Sequence, residues 1–284
     1  MIIENAIKNK LAGALSKETL FLRNFLKEEL QNFVLNFVYN SDYKNLIFTG
    51  GTCLRKNYGL NRLSEDLDFD YTDKFDINDF NLDITKYFKS SLGYKSFSTK
   101  ISTNKNTIFL KFPILKELGL LSSTGTPEDL FLRCDFSKEV TGVYNTEINL
   151  VLAGQYEFFA VSYDLPTLFA NKIVAFLERV YFRGKYQKIP FKGRDVYDLY
   201  WLFQLSGKSG FSLKPNVNRL VALTSNKDIG KIKELLKTKI MKVEEDYLYQ
   251  DLYPLIESKQ FLENFKDNFK KEICQKIDMI VCKG

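Results

Sequence analysis

Between Leu46 and Tyr71 the hydrophobic pattern changes period twice, and this does most to restrict what the chain can fold into. "LIFTGG" reads as a short buried strand that runs into a tight turn, and "TCLRKNYGL" has helical spacing. "DLDFDY" alternates acidic with apolar and aromatic residues, as a strand does. The chain therefore mixes helix and sheet from its first third.

The flanking segments extend that α+β reading. From Ser16 to Tyr39, Leu20, Phe21, Phe25, Leu26, Leu30, Phe33, Val34, Phe37 and Val38 recur at three- and four-residue steps, predicting one long amphipathic helix. Residues 74–93 read as a further helix, followed by strands at "NTIFLKFPI", "LFLRCDFS" and "TEINLVLAG". After Tyr163 the pattern becomes helical, through "DLPTLFANKIVAFLERVYF", "RDVYDLYWLFQLS" and a lysine-rich tail. "RGKYQKIPFKG" between the first two reads as a basic Gly/Pro-punctuated loop. The predicted organisation is a mixed-sheet core with N-terminal helices over 1–160 and a helical domain over 161–284.

The alternating strand poses a chemical question. Side chains two apart in a strand share a face, so Asp66, Asp68 and Asp70 converge although like charges repel. A hard divalent cation is the natural neutraliser, and magnesium commonly sits on one or two carboxylates plus substrate phosphates. Two such ions stabilise both attacking and leaving oxygens in phosphoryl-type transfer. The preceding Gly50 and Gly51 permit close backbone approach and lead into a helix whose N-terminal amides favour phosphate. Thr52, Arg62 and Ser64 are candidate contacts to the same polyphosphate. A third carboxylate is expected from a neighbouring strand, as metal ligand and base: Asp135 in "FLRCDFS", with Glu147 in reserve and Asp70 outside the core set.

Composition excludes whole reaction classes. The 284 residues contain no histidine, which removes Ser-His-Asp and Cys-His catalysis and His-ligated zinc. Cys53, Cys134, Cys274 and Cys282 form no CxxC pair, so they read as small buried hydrophobes rather than disulfides or zinc ligands. A net charge of +6 is compatible with a polyanionic partner. No apolar run approaches the roughly 20 residues of a membrane span, and the N-terminus lacks a signal-peptide core. A soluble, cytoplasmic protein is expected.

In the helical half, Lys172 and Arg179 lie two turns apart on nearly one face, and a lysine point charge and an arginine fork both suit phosphate oxygens. "GRDVYDLYWL" places Asp195 and Asp198 in an opening helical turn, with Arg194–Asp198 spaced as an ion pair. The intervening loop carries Arg183, Lys185, Lys188 and Lys192 interleaved with Tyr181, Tyr186 and Phe191, a composition suited to a single-stranded RNA end.

"GGTCLRKNYGLNRLSEDLDF" closely resembles the first motif of the AbiEii/AbiGii toxin family, nucleotidyltransferases of the DNA polymerase β-like superfamily. "LRCDFS" resembles the family's next acidic strand, and "LPTLFANKIVAFLERVYFRGKYQKIPFKGRDVYDLYWLF" is similar to its later signature. The motifs keep the family's order from about residue 45 to 205. The resemblance implies a nucleotidyltransferase fold, a mixed sheet flanked by helices with a helical C-terminal half that completes the active site. It implies transfer of a nucleoside monophosphate from an NTP with release of pyrophosphate, using Mg²⁺, two ions by analogy. Characterised relatives are toxins of toxin–antitoxin and abortive-infection systems, and some add nucleotides to tRNA 3′ ends and stop translation. By position the resemblance implies that Asp66 and Asp68 hold metal, that Lys172 contacts the triphosphate and that Asp195 belongs to the required Arg-Asp pair. Asp135 as third metal ligand and Arg179 and Arg194 at the nucleotide complete the candidate set. The implied partners are an NTP, an RNA acceptor such as tRNA and a cognate antitoxin, around a monomer. Asp70 departs from the family pattern. Two alternatives stay open: transfer to a protein or small-molecule hydroxyl, and nucleotide or nucleic-acid binding without turnover.

Overall fold

The computed structural model describes residues 2–14, 18–120, 129–183, 187–205, 213–224, 228–278 and 280. The chain divides into two compact units, one of residues 1–140 and 146–162, the other of 141–145 and 163–284.

The first unit is built on a mixed sheet. Its strands are β1 (Ile47–Thr49), β2 (Asp66–Tyr71), β3 (Ser98–Ile101), β4 (Thr107–Pro113), β5 (Asp129–Lys138), β6 (Thr146–Ala153) and β7 (Tyr156–Tyr163). They lie in the order β3-β4-β5-β2-β1-β7-β6. β2 runs parallel to β5 and antiparallel to β1, and β1 runs parallel to β7. The helices are α1 (Ile2–Ala12), α2 (Thr19–Tyr39), α3 (Gly50–Tyr58) and α4 (Ile77–Lys86), the last continued by a π-helical turn at Tyr87–Ser91. The helix expected over 74–93 thus starts later, where the Asp76 carboxylate caps the amide of Asn78.

Strand alternation sorts the sheet into two faces. Leu67 and Phe69 of β2, Leu132, Cys134 and Phe136 of β5, and Ile108, Leu110 and Phe112 of β4 are all buried. Phe69 stacks between Phe48 and Phe136, at 5.7 Å from each, and Phe136 meets Phe80 of α4 at 4.9 Å. Each such ring contributes about 3–5 kcal/mol by truncation. The odd-numbered positions of β4 and β5 and the even-numbered ones of β2 point to the opposite face, which carries the polar residues.

In α2, Glu28 is buried and takes Arg55 of α3 as its ion-pair partner, with Lys10 at 3.6 Å. Burial alone would raise its carboxyl pKa, but the Arg55 hydrogen bond and the charges of Lys56, Arg55 and Lys10 outweigh that and hold it low. This network fixes α3 on the first unit through its C-terminal turn.

The second unit holds α5 (Leu165–Glu178), the short hairpin β8 (Tyr181–Arg183) with β9 (Gln187–Ile189), α6 (Gly193–Leu205), α7 (Val217–Leu223), α8 (Ile229–Met241), α9 (Glu245–Leu252) and α10 (Lys259–Ile277). The Asp164 carboxylate caps α5 by accepting from the Thr167 amide at 2.9 Å. The start of α6 is packed so closely on α9 that a Cβ on Gly193 would stand 2.8 Å from the Leu248 carbonyl oxygen. The segment read as a loop therefore contains a hairpin, whose strands of three residues are too short for alternation to reveal.

Candidate active site

β2 and β5 run side by side in parallel, and their register brings Asp68 opposite Asp135, two residues along from Asp66 opposite Arg133. Neighbouring strands stand about 4.8 Å apart, so Asp68 and Asp135 meet on one rung of the polar face. Thr49 of β1 continues that rung on the other side of Asp68, and Thr107 of β4 continues it beyond Asp135. Two carboxylates far apart in sequence are thereby placed together by main-chain hydrogen bonding alone.

The turn into α3 is shaped around Asp68. Gly50 has φ 78°, a left-handed conformation, and a Cβ there would stand 2.0 Å from Asp68 Oδ2. Only glycine meets both conditions. Gly51 is constrained differently, since its Cβ would stand 2.6 Å from Arg62 Nη2 and 3.0 Å from Ser64 Oγ. Thr49 is the N-cap residue of α3 but makes no side-chain capping hydrogen bond. The opening amides of α3 stand at the dipole end that favours an anion, with the Asp68 carboxylate close by.

Thr52, Arg62 and Ser64 are all buried. The Thr52 hydroxyl donates to the Asp66 carbonyl, so it ties α3 to β2. Arg62 donates through Nη1 to the Leu63 carbonyl at 2.8 Å, and the Ser64 carbonyl accepts from Gln31 Nε2 at 2.8 Å. In this structure these three brace the loop between α3 and β2.

Asp135 is held from two directions. Thr107 Oγ1 donates to its Oδ1 at 2.5 Å, and Arg133 Nε lies 3.0 Å from Oδ1 and 2.8 Å from Oδ2. Neither Thr107 nor Arg133 was singled out by the sequence reading. Arg133 had a local signal, because it lies two residues before Asp135 in the same alternating strand; Thr107 had none. Cys134, buried between them on the other face, has its thiol pushed well up by burial and then by the charges of Asp135, Asp66 and Asp68. Glu147 lies on β6, separated from β2 by β1 and β7, where it accepts from the Tyr58 hydroxyl and, at 3.1 Å, from Asn149 Nδ2.

In the second unit, Lys172 Nζ stands 2.7 Å from Asp198 Oδ2, with both side chains largely buried. Arg179 Nε stands 2.9 Å from the buried Asp195 Oδ2. Helix α5 and its C-cap thus present two cations to two acids of α6. Phe191 is buried, which removes it from any stacking surface; Lys188 is exposed, and Lys185 and Tyr186 lie outside the described residues, as does Cys282.

The family described as "Nucleotidyl transferase AbiEii toxin, Type IV TA system" matches residues 35–272. The chain belongs to the AbiEii family. It is a nucleotidyltransferase of that toxin family, for which an NTP substrate and a cognate antitoxin follow. No curated protein matches the chain. Among solved structures it resembles MenT4, a nucleotidyltransferase toxin from Mycobacterium tuberculosis H37Rv, at 12% identity and TM-score 0.48 over 95% of this chain and 98% of that one. It also resembles JHP933 from Helicobacter pylori, at 18% identity and TM-score 0.43 over 93% and 95%.

An AbiEii nucleotidyltransferase needs its substrate's phosphate charge neutralised, and the donor set fits a hard cation. Among the described residues no three acidic side chains form a ready-made cage. Magnesium requires less, since water and substrate phosphates complete its shell around one or two carboxylates. Asp66, Asp68 and Asp135 offer oxygen donors on the polar face, beside the start of α3.

Proposed function

We propose that this AbiEii enzyme transfers a nucleoside monophosphate from an NTP to an RNA 3′-hydroxyl, with the tRNA acceptor end as target and arrest of translation as the consequence. The rung that sets Asp68 against Asp135 beside Gly50 is the single observation that carries the chemistry.

Asp66 and Asp68 are the residues assigned to hold Mg²⁺, with Asp135 as third ligand. A bound divalent cation would neutralise phosphate charge and favour in-line displacement at the α-phosphorus. The Gly50 and Gly51 amides at the α3 N-terminus take phosphate oxygens. Asp135, steadied by Thr107 and Arg133, accepts the proton of the attacking hydroxyl. The acceptor oxygen bonds to the α-phosphorus as the bond to the bridging oxygen breaks, and pyrophosphate leaves. Lys172, Arg179 and Arg194 are assigned to the triphosphate by their charge. Lys172 and Arg179 each carry a carboxylate partner, Asp198 and Asp195 respectively, which keeps them oriented. The described residues contain no helix long and apolar enough to cross a membrane, and the net charge of +6 suits an RNA acceptor.

The test is incubation of the purified protein with Mg²⁺, each labelled NTP in turn and total tRNA. Label in RNA that disappears with Asp68→Ala is the expected result. Label in a protein band, or none with any nucleotide, overturns the assignment.

A further inference from the structure

The polar face continues beyond the carboxylate rung, and its character changes within one strand step. The next rung runs from Asp66 through Arg133 and Phe109 to Lys100, across β2, β5, β4 and β3. The rung after it pairs Phe131 of β5 with Lys111 of β4 and Ser98 of β3. Two residues of strand span about 6.6 Å, so the third rung starts about 13 Å from the first. Beyond it the face ends at Pro113 opposite Asp129.

These side chains are accessible although two of them are large and aromatic. Lys100 and Arg133 are exposed, while Phe109, Lys111 and Phe131 are half-buried, unlike the fully buried Leu110, Phe112, Leu130 and Leu132 of the same two strands. Lys111 Nζ sits over the Phe131 ring, 5.3 Å from its centroid. Half-exposed phenylalanines alternating with cations on an open sheet are costly as plain surface. They suit a ligand that offers flat rings and negative charge at a repeating interval.

We propose that this face, formed by Lys100, Phe109, Lys111, Phe131 and Arg133, binds the single-stranded 3′ end of the acceptor RNA and leads it to the carboxylate rung. The inference rests on the transferase reading for its direction, since Asp68 and Asp135 close one end of the strip. Bases stack on Phe131 and Phe109, while Lys100, Lys111 and Arg133 meet the phosphates. The surface reads no sequence by itself, because every base has a π-face and no amide-bearing side chain lies on the two rungs. Selection of a particular RNA must then come from elsewhere.

The experiment measures binding of a fluorescein-labelled single-stranded RNA 12-mer to the full chain by anisotropy, as a function of salt, with binding of a fluorescent NTP analogue followed separately. Phe131→Ala is expected to weaken RNA binding about 5- to 150-fold, the range for one lost base stack. Lys100→Ala/Lys111→Ala is expected to lower the slope of log K against log salt by about 1.4, at about 0.7 per phosphate contact on a single strand. A misfolded variant would not mimic that slope change, and NTP-analogue binding within error of wild type confirms the fold of each variant. Asp68→Asn, which disables the proposed chemistry, is expected to keep its RNA affinity. Wild-type RNA binding that neither variant alters overturns the inference and leaves the transferase reading intact. So does a strip whose variants lose a protein partner and not RNA. RNA binding that follows the strip, in a protein that transfers no nucleotide to any acceptor, upholds the surface and sinks the transferase reading instead.

Discussion

Replacing Gly50 by alanine brings together two costs that a second glycine separates. Gly50 has φ 78°, and the left-handed conformation costs an L residue about 1–2 kcal/mol. A Cβ there would also stand 2.0 Å from Asp68 Oδ2 and 2.8 Å from Asp68 Cγ. The obstruction is the free end of a side chain, so Asp68 turns aside, at about 0.5–1.5 kcal/mol for an off-rotamer torsion. The sum is about 1.5–3.5 kcal/mol. Gly59, at the other end of α3, has φ 79° and nothing within 4 Å of its Cβ position, so Gly59→Ala carries the conformational cost alone. At roughly 2 °C per kcal/mol for a chain of this size, Gly59→Ala should melt about 2–4 °C below wild type and Gly50→Ala about 3–7 °C below. Pyrophosphate release should separate them further. A carboxylate displaced by an ångström or more costs about 100-fold in turnover, whereas Gly59→Ala should turn over normally. Scanning fluorimetry and a coupled pyrophosphate assay read both quantities. A Gly50→Ala enzyme that melts with Gly59→Ala and keeps wild-type turnover would refute the placement of Asp68 against that turn.

Three further outcomes follow from the same geometry. Thr107→Val removes a buried hydroxyl that donates to Asp135, and loss of such an outer partner should weaken Mn²⁺ binding, read by calorimetry, about 10- to 100-fold. Unchanged affinity would mean that Thr107 does not orient the ligand. Asp198→Asn leaves the largely buried Lys172 ammonium without its counter-charge and should cost about 3–5 kcal/mol in urea unfolding; Asp195→Asn should cost less, because Arg179 is a third exposed. Lys56 has its pKa pushed down to about 8 by burial, against the opposing pull of Glu28. Between about pH 8 and 10.4 the unfolded chain holds a proton that the folded one has released, so stability rises with pH there, by at most about 1.4 kcal/mol per unit. Cys134, whose thiol is pushed up, contributes an opposite slope in this window, but that slope is common to wild type and Lys56→Met. Urea titrations from about pH 8 to 9.5 should therefore give wild type the more positive slope, by up to about 1.4 kcal/mol per unit.

What the sequence disclosed, it disclosed through local period. The alternation of "DLDFDY" placed Asp66 and Asp68 on one face of a strand, and the diglycine marked a backbone that must come close to something. What lay close was not legible: Gly50 makes room for Asp68 itself. The opposition of Asp68 and Asp135 depends on strand register over a long chain separation, which no local pattern encodes. Thr52 has a tertiary partner that the sequence did not disclose. A hydroxyl at a helix start looks like a ligand contact, yet it is fully buried and bonded to the Asp66 carbonyl. Likewise, helical spacing set Lys172 and Arg179 on one face but said nothing of Asp198 and Asp195, their partners on α6.

The repulsion built into the carboxylate rung is met by compensation on both sides. Two unit charges about 5 Å apart repel by about 3 kcal/mol at an effective dielectric near 20, and by under about 1 kcal/mol in water. The Asp135 side chain is only about a quarter exposed, so the figure near 3 kcal/mol is the nearer one before compensation. Arg133 offsets part of it at Asp135, and the positive end of α3 beside Gly50 offsets part at Asp68. Neither compensation removes the carboxylates' capacity to accept: the guanidinium reaches Asp135 through Nε, and the helix end contributes only partial charge. The positions of the donors are therefore fixed by strand register, by a hydroxyl on β4 and by a glycine without a side chain, not by the cation they are proposed to hold. A site arranged in that way loses little entropy when cation and triphosphate arrive, which is where preorganised electrostatics have their largest effect on rate.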